Sequence, residues 1–484
     1  MKRLITILSI ISVALISCQQ NLVPDHPEIP AISDEVMTKS LSAGKITPDD
    51  PVVFSAAKDM KSFTDIGPLE DRFAACEVPA SRLDAMTTEA LVKSMLNYPL
   101  NYLILFYDDP NEAIDLIMEY SSLHQEFLSR QDAAEVFVDF YAAADLDISP
   151  EKGNLDGNYT SLSYTNTMFM DHFIASGLMT GLGKASVKQK LAEAVELKLQ
   201  ERIKSPGTFS MHSIKPLLAV NEAESLGLAT AVNRANAFNY ESYSIPRGRT
   251  LDFVIFTESS IFELNQLDQA ATANYPNAVM LDNSTHRYNG HSYAWHDTST
   301  DNTLWLDRVD SCGVEQLSKY WVLNHSAGGE NSFTLCSNAS YANIVYYPDG
   351  DHSAVCHSNN TYVSKWCDGP LMQHAPSYCP YISTNRQYFQ PKVNSTVRIT
   401  GNNPVALNQA NDYTISNAET GLEYEIDVLF MDAPSPTPFV FNQVSSSKYR
   451  LTCQDYGYFK IEYFGYYNGY RLDGTTFTVI CMQM

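Results

Sequence analysis

The hydrophobic pattern of this chain changes period along its length, and the changes mark its parts. From about Phe54 to Ala237 apolar residues recur at helical spacing. Thr87-Thr88-Glu89 opens a helix carrying Leu91, Val92, Met95 and Leu96, and Pro99 ends it. Pro110 opens another, with Ala113, Leu116, Ile117 and Tyr120 on one face. Ala133 to Tyr141 continues in the same way. Ser186 is placed to cap a helix reaching about Arg202, with Leu191, Val195 and Leu199 on its buried side. These stripes read as core, and residues 54–237 are expected to form an all-α domain.

The texture then shifts. Leu251 to Phe256 reads as a strand and Ile261 to Ala271 as a helix. Ile344 to Tyr347, His352 to His357 and Tyr362 to Trp366 read as strands, with Asn359-Asn360 as a tight turn between the last two. Helix first and antiparallel sheet after is α+β order, expected for residues 238–385. Residues 390–484 alternate short strands with turns: Thr396 to Thr400, Asn411 to Ser416, Tyr424 to Phe430, Phe439 to Gln443, Tyr458 to Phe464 and Thr476 to Met482. That spacing predicts an all-β sandwich of the Ig-like or PKD-like kind. A multidomain protein is in keeping with 484 residues.

Composition narrows the function. The formal net charge of −24 disfavours nucleic acid and gives no dedicated surface for anionic lipid. Met1-Lys2-Arg3 followed by the apolar run Leu4 to Ile16 is a signal peptide, residues 1–17, too short to span a bilayer. Leu15-Ile16-Ser17-Cys18 resembles a lipobox, which implies acylation of Cys18 and attachment to membrane lipid. Residues 18–53, dotted with proline, read as the tether. The expected location is the cell envelope, at the outer membrane of a Gram-negative bacterium, because Asp is absent directly after Cys18. Eight further cysteines show no CxxC pair, which excludes zinc-ribbon and thioredoxin motifs. Cys312 with Cys336, and Cys453 with Cys481, are candidate disulfides by proximity, and the connectivity stays open.

Four short motifs carry the candidate chemistry. They are Tyr288-Asn289-Gly290-His291-Ser292-Tyr293-Ala294-Trp295, Gly350-Asp351-His352-Ser353-Ala354, Ser364-Lys365-Trp366-Cys367, and His374-Ala375-Pro376 with Cys379-Pro380-Tyr381. In this order, over about Tyr240 to Tyr381, they resemble bacterial cell-envelope cysteine hydrolases of the NlpC/P60 and CHAP kind. The segment before them resembles an all-helical region that precedes such modules in some secreted bacterial proteins. The resemblance implies a papain-like fold in which a cysteine opens a helix, whose N-terminus favours the thiolate, and a histidine downstream takes its proton. It places the nucleophile at residue 290, the base at His352 and the orienting group on the next strand, which carries Ser364 and Lys365. Asn289, His291, Tyr293, Trp295, Trp366 and His374 would line the cleft. Two departures stand out: residue 290 is glycine, and Cys367 stands where the pattern has glycine.

Glycine is no nucleophile, so the resemblance implies a disarmed homologue of peptidases and amidases that keeps its cleft for peptidoglycan or a peptide. A cysteine restored at 290 would then re-arm it. One rescue is open: with Ser358 paired to Thr361 across a two-residue turn, His352 would face Cys367 and Lys365 would share their face. That register would allow an active amide hydrolase with a relocated thiol. A third reading is surface adhesion or glycan binding through the sandwich, whose Tyr456, Tyr458, Phe459, Tyr463, Phe464, Tyr466, Tyr467 and Tyr470 form an aromatic cluster. His286, His291 and His296 recur every five residues, which lacks compact metal-ligand spacing, so neither a metal nor a cofactor is expected.

Overall fold

The computed structural model describes residues 46–54, 63–146, 161–178, 184–205, 207–226, 240–247, 249–310, 313–321, 331–337, 339–357, 360–393, 396–431 and 439–483. The signal segment, Cys18, most of the tether and Cys312 lie outside them. The chain combines helices with strands in several sheets.

Nine helices precede the first sheet hairpin: α1 (Leu69–Ala75), α2 (Ala80–Ala85), α3 (Thr88–Leu96), α4 (Pro110–Tyr120), α5 (Ser122–Ser129), α6 (Ala133–Ala143), α7 (Tyr164–Ala175), α8 (Ala185–Ile203) and α9 (Met211–Leu226), among the described residues. Local signals explain several boundaries. The Thr87 hydroxyl accepts from Ala90 N at 3.3 Å to start α3. Pro110 takes the first position of α4, where its missing N–H costs nothing, and the Asp109 carboxylate accepts from Asn111 N at 2.9 Å. α8 begins two residues earlier than expected: Lys184 is its N-cap without a side-chain cap bond, so Ser186 sits inside the first turn and does not cap. Tyr120 is also less buried than its spacing predicts. It ends α4 at 38 % exposure and stacks on Phe73.

A two-residue parallel pair, β1 (Asp145–Leu146) with β2 (Ser161–Leu162), and a hairpin, β3 (Tyr240–Ile245) with β4 (Arg249–Val254), flank the end of the helical region. Then comes α10 (Ile261–Asn274), which opens with a reciprocal cap between Ser260 and Glu263. The central sheet has seven strands in the order β5-β10-β9-β8-β7-β11-β6, every pair antiparallel. Its members are β5 (Val279–Asp282), β6 (Phe333–Cys336), β7 (Ile344–Tyr347), β8 (His352–His357), β9 (Thr361–Lys365), β10 (Leu371–His374) and β11 (Gln387–Pro391).

One hydrophobic core joins the helices to this sheet. It runs from Val52 and Leu91 through Phe173 and Leu217 to Tyr347, Ala354, Tyr362, Trp366 and Met372. The opposite sheet face packs against the short helix α11 (Gly290–Trp295), whose Ala294 and Trp295 enter a second core with Ile344 and Phe389.

The C-terminal strands form two four-stranded sheets around a separate core. One has the order β12-β14-β17-β16 and the other β13-β19-β18-β15. The strands are β12 (Arg398–Thr400), β13 (Val405–Ala406), β14 (Ala410–Ser416), β15 (Glu423–Phe430), β16 (Phe439–Ser445), β17 (Lys448–Cys453), β18 (Gly457–Tyr467) and β19 (Tyr470–Met482). Cys453 on β17 and Cys481 on β19 lie buried side by side as thiols, one from each sheet. The β18–β19 turn reaches back to α11, where the Asn468 amide donates to Tyr293 O (3.4 Å) and Ala294 O (3.1 Å). Asn468 thereby satisfies carbonyls that a six-residue helix leaves open at its C-terminus.

Candidate functional site

Asn289 builds the start of α11. Its side-chain oxygen accepts from Ser292 N (3.0 Å) and Leu306 N (3.3 Å), and its amide donates to Leu306 O (2.9 Å) and the Asp108 carboxylate (2.5 Å). This fully bonded cap fixes Gly290 as the first residue of a buried helix. Opposite it, residues 348–350 form a short 3₁₀ turn and Asp351 takes a left-handed backbone (φ 39°), which launches β8 at His352. Gly350 is needed for close approach: a Cβ there would lie 2.9 Å from the Tyr381 Cβ.

His352 and Gly290 do meet, but more closely than a thiol would allow. A Cβ built on Gly290 would overlap His352 Cε1, and would lie 2.8 Å from both His352 Nδ1 and the Lys365 carbonyl oxygen. The imidazole cannot simply withdraw, because it lies flat on the Tyr381 ring. His352 is 2 % exposed, and its Nε2 is buried without a hydrogen-bond partner among the described residues. Burial first, with the charges of His291 and His374 adding to it, holds its pKa well below the ordinary imidazole value, so the ring is neutral.

The other expected site residues do not converge on this imidazole. Ser364 Oγ bonds His374 Nε2 at 3.0 Å and accepts from Trp366 Nε1 at 3.1 Å. His374 Nδ1 in turn faces Ala375 O at 2.8 Å, so Nδ1 carries the proton, and burial pushes this imidazole down to about 4. Lys365 is fully buried, and its ammonium donates to Thr285 O (2.8 Å), Cys367 O (2.6 Å) and Gly369 O (2.5 Å). It ties the loop after β9 and has no free donor for catalysis. Burial pulls its pKa down to about 8, against the neighbouring Asp368 carboxylate.

The relocated-thiol arrangement is corrected by the register. β8 and β9 pair as Val355↔Val363, Cys356↔Tyr362 and His357↔Thr361, one residue away from the two-residue-turn alignment. The connection holds three residues and includes Asn360 in left-handed backbone (φ 59°), a geometry typical of three-residue hairpins. The slip moves Lys365 to the α11 face, puts Ser364 and Trp366 on the face of His352, and removes Cys367 from the ladder. Cys367 lies beyond β9 at φ 51°, in the left-handed region that favours glycine. Its thiol donates to Tyr107 O at 3.2 Å, packs with Val254 and Trp305, and is held well above the ordinary thiol range by burial. It is neither activated nor positioned as a nucleophile.

The expected cleft residues divide similarly. Trp295 is fully buried and donates from Nε1 to Ser353 Oγ at 2.8 Å. Tyr293 packs with Tyr288, Val363 and Leu371, and Trp366 with Phe106 and Tyr275. His291 places Nδ1 2.9 Å from Ser353 Oγ and Nε2 3.3 Å from Asp351 Oδ1. Burial opposes its charge, but Asp351, supported by Asp108 and Asp307, outweighs that and raises the pKa. Serine, imidazole and carboxylate thus adjoin, yet Ser353 is fully buried and already accepts from Trp295, so this set is structural.

Sequence patterns missed the acidic surroundings. Asp351 also receives Arg308 Nε at 3.2 Å and the Tyr346 hydroxyl at 3.2 Å. Asp108 is pushed up to about 7, first by burial and then by Asp351 and Asp307, against the pull of His291. Burial likewise raises Asp307 to about 6. Half-buried carboxylates beside the site helix were visible in sequence only as Asp351 preceding His352 and Asp108-Asp109 preceding Pro110. No group of three or more His, Cys, Asp or Glu side chains among the described residues is arranged to hold a metal ion. No described helix is long and apolar enough to cross a membrane.

Among the C-terminal strands, Phe459 and Tyr463 are core residues, and Arg471 covers the Phe464 ring. Tyr467 bonds His296 Nδ1 (2.6 Å) and Tyr320. Of the aromatic cluster, Tyr456 and Tyr458 are about half exposed. No protein-family model matches this chain, and no curated protein sequence matches it.

Proposed function

We propose that this is a lipid-anchored cell-envelope protein whose central module is a papain-like, NlpC/P60- or CHAP-like hydrolase fold without catalysis, acting as a binder of peptidoglycan or a peptide. The reading draws its fold from the four motifs and from their placement. The nucleophile position opens a buried helix, and the histidine opens the strand packed against it. The finer assignment of the C-terminal strands as an Ig-like sandwich belongs to the same proposal, and rests on two four-stranded sheets around one core.

The observation that carries the loss of catalysis is the closure of His352 on Gly290. A thiolate–imidazole pair needs a sulfur between helix and ring, and no space is left for even the first carbon of that side chain. Asp108, Asp307 and Asp351 beside α11 favour a cationic group, such as an amine of a stem peptide, as the ligand's anchor. Co-sedimentation of the mature chain with purified sacculi tests this. Retention on sacculi, weakened by Asp351→Asn and competed by amine-bearing stem peptide, is the expected result. Failure to sediment, and failure to bind free stem peptide, would sink it.

A further inference from the structure

The motif His374-Ala375-Pro376, continuing to Tyr378, takes no part in the site around Gly290. Its Ala375 and Pro376, with Ser377 and Tyr378, instead form one wall of an open groove of about 530 Å³ on the helical face of the central sheet. The rest of the groove includes Tyr362 at the start of β9, Tyr388 on β11, Arg386, Asn277 after α10, and Asp65. Its volume falls within the roughly 300–1,000 Å³ typical of small-ligand sites.

Arg386 is the informative residue. Its Nη1 is buried and has no hydrogen-bond partner among the described residues. No described carboxylate forms an ion pair with its guanidinium, in a chain of formal net charge −24. Asp65, the one acid among the described lining residues, accepts from the Asn277 amide at 3.1 Å. Nη1 is enclosed, so a ligand in the groove would meet the guanidinium at its other nitrogens, which also have no hydrogen-bond partner among the described residues; a carboxylate is the group that matches them. The remaining lining mixes tyrosine rings, amides and the Ser377 hydroxyl with the small residues Gly67, Ala339, Ala375 and Pro376, and Tyr378 is held by Oη donation to Thr64 O at 2.6 Å. Rings with flanking amides suit the apolar faces and hydroxyl edges of a pyranose.

We propose that this groove binds an acidic sugar, its carboxylate on Arg386 and its ring against Tyr378 and Tyr388. The site is separate from the Gly290 cleft and does not depend on how that cleft is read. The test is calorimetric titration of the full mature chain with trigalacturonate, with neutral galactotriose, and with trialanine as a peptide carboxylate. Trigalacturonate binding is expected to exceed galactotriose and trialanine by at least about tenfold, and Arg386→Gln should remove that margin. Ala339→Trp, at an exposed position in the lining, should block binding with Arg386 itself unchanged. The proposal is overturned by no binding of trigalacturonate, by equal binding of the neutral sugar, by preference for trialanine, or by unchanged affinity in either folded variant.

Discussion

The imidazole of His352 lies on the phenol ring of Tyr381, with centroids 3.6 Å apart and planes 8° from parallel. Tyr381 is itself fixed by donation of its hydroxyl to Phe106 O at 2.8 Å, a carbonyl of the helical region. The helices therefore hold the histidine down on Gly290. Any side chain at 290 must break that stack. Gly290→Ala should cost about 1–3 kcal/mol, the usual range for overpacking a filled core. Urea denaturation measures it, and an unchanged midpoint would show that the ring moves freely.

Cys367 should be silent as a nucleophile and replaceable by glycine. Its left-handed backbone costs an L-residue about 1 kcal/mol that glycine avoids, which offsets the lost packing of the thiol. Cys367→Gly is expected to melt within a few degrees of the parent. In the folded chain the thiol should resist alkylation until denaturant is added. Rapid labelling of Cys367 under native conditions would contradict its burial.

The buried histidines set an acid limit. In the folded chain His374 is pushed down from 6.5 to about 4, so below pH 6.5 the unfolded chain binds a proton that the folded chain refuses. Its contribution is intact above pH 6.5 and fades as pH falls towards 4. The full difference is on the order of 3 kcal/mol. His374→Gln should flatten the decline in stability between these pH values, read from urea midpoints across the range. Parallel curves for parent and variant would mean that the imidazole titrates normally.

Asn468 links the β18–β19 turn to the site helix through its amide and its own left-handed backbone (φ 48°). Glycine keeps the turn and loses the cap, whereas alanine loses both. Asn468→Gly is expected to cost about 1 kcal/mol and Asn468→Ala more. Equal effects would assign the whole role to the turn.

Where one interaction dominated, the sequence was legible. Thr87 and Pro110 announced α3 and α4, the continuous apolar run Ile344 to Tyr347 announced β7, and the Asn359-Asn360 turn announced β8 and β9 on either side of it. β17 was missed although Tyr449, Leu451 and Cys453 alternate, because the polar run Ser445 to Lys448 resembles a loop and not a hairpin end. The β8–β9 register turned on one position: Thr361 pairs with His357 and not with Ser358, and that decided which face Lys365 and Ser364 occupy. The contact between His352 and Gly290 needed the fold, since it is fixed by Tyr381 and, through it, by Phe106 of the helical region. The expectation that a cysteine at 290 would re-arm the site is altered by the same contact: a restored side chain has no room beside the ring.

The most direct test of lost catalysis is incubation of muropeptides with the mature chain and with Gly290→Cys, followed by mass spectrometry of the fragments. The closed contact between His352 and Gly290 leads to no cleavage by the native chain and none by the single variant. Cleavage products from the native chain would contradict the account, and would require a nucleophile other than residue 290 or Cys367.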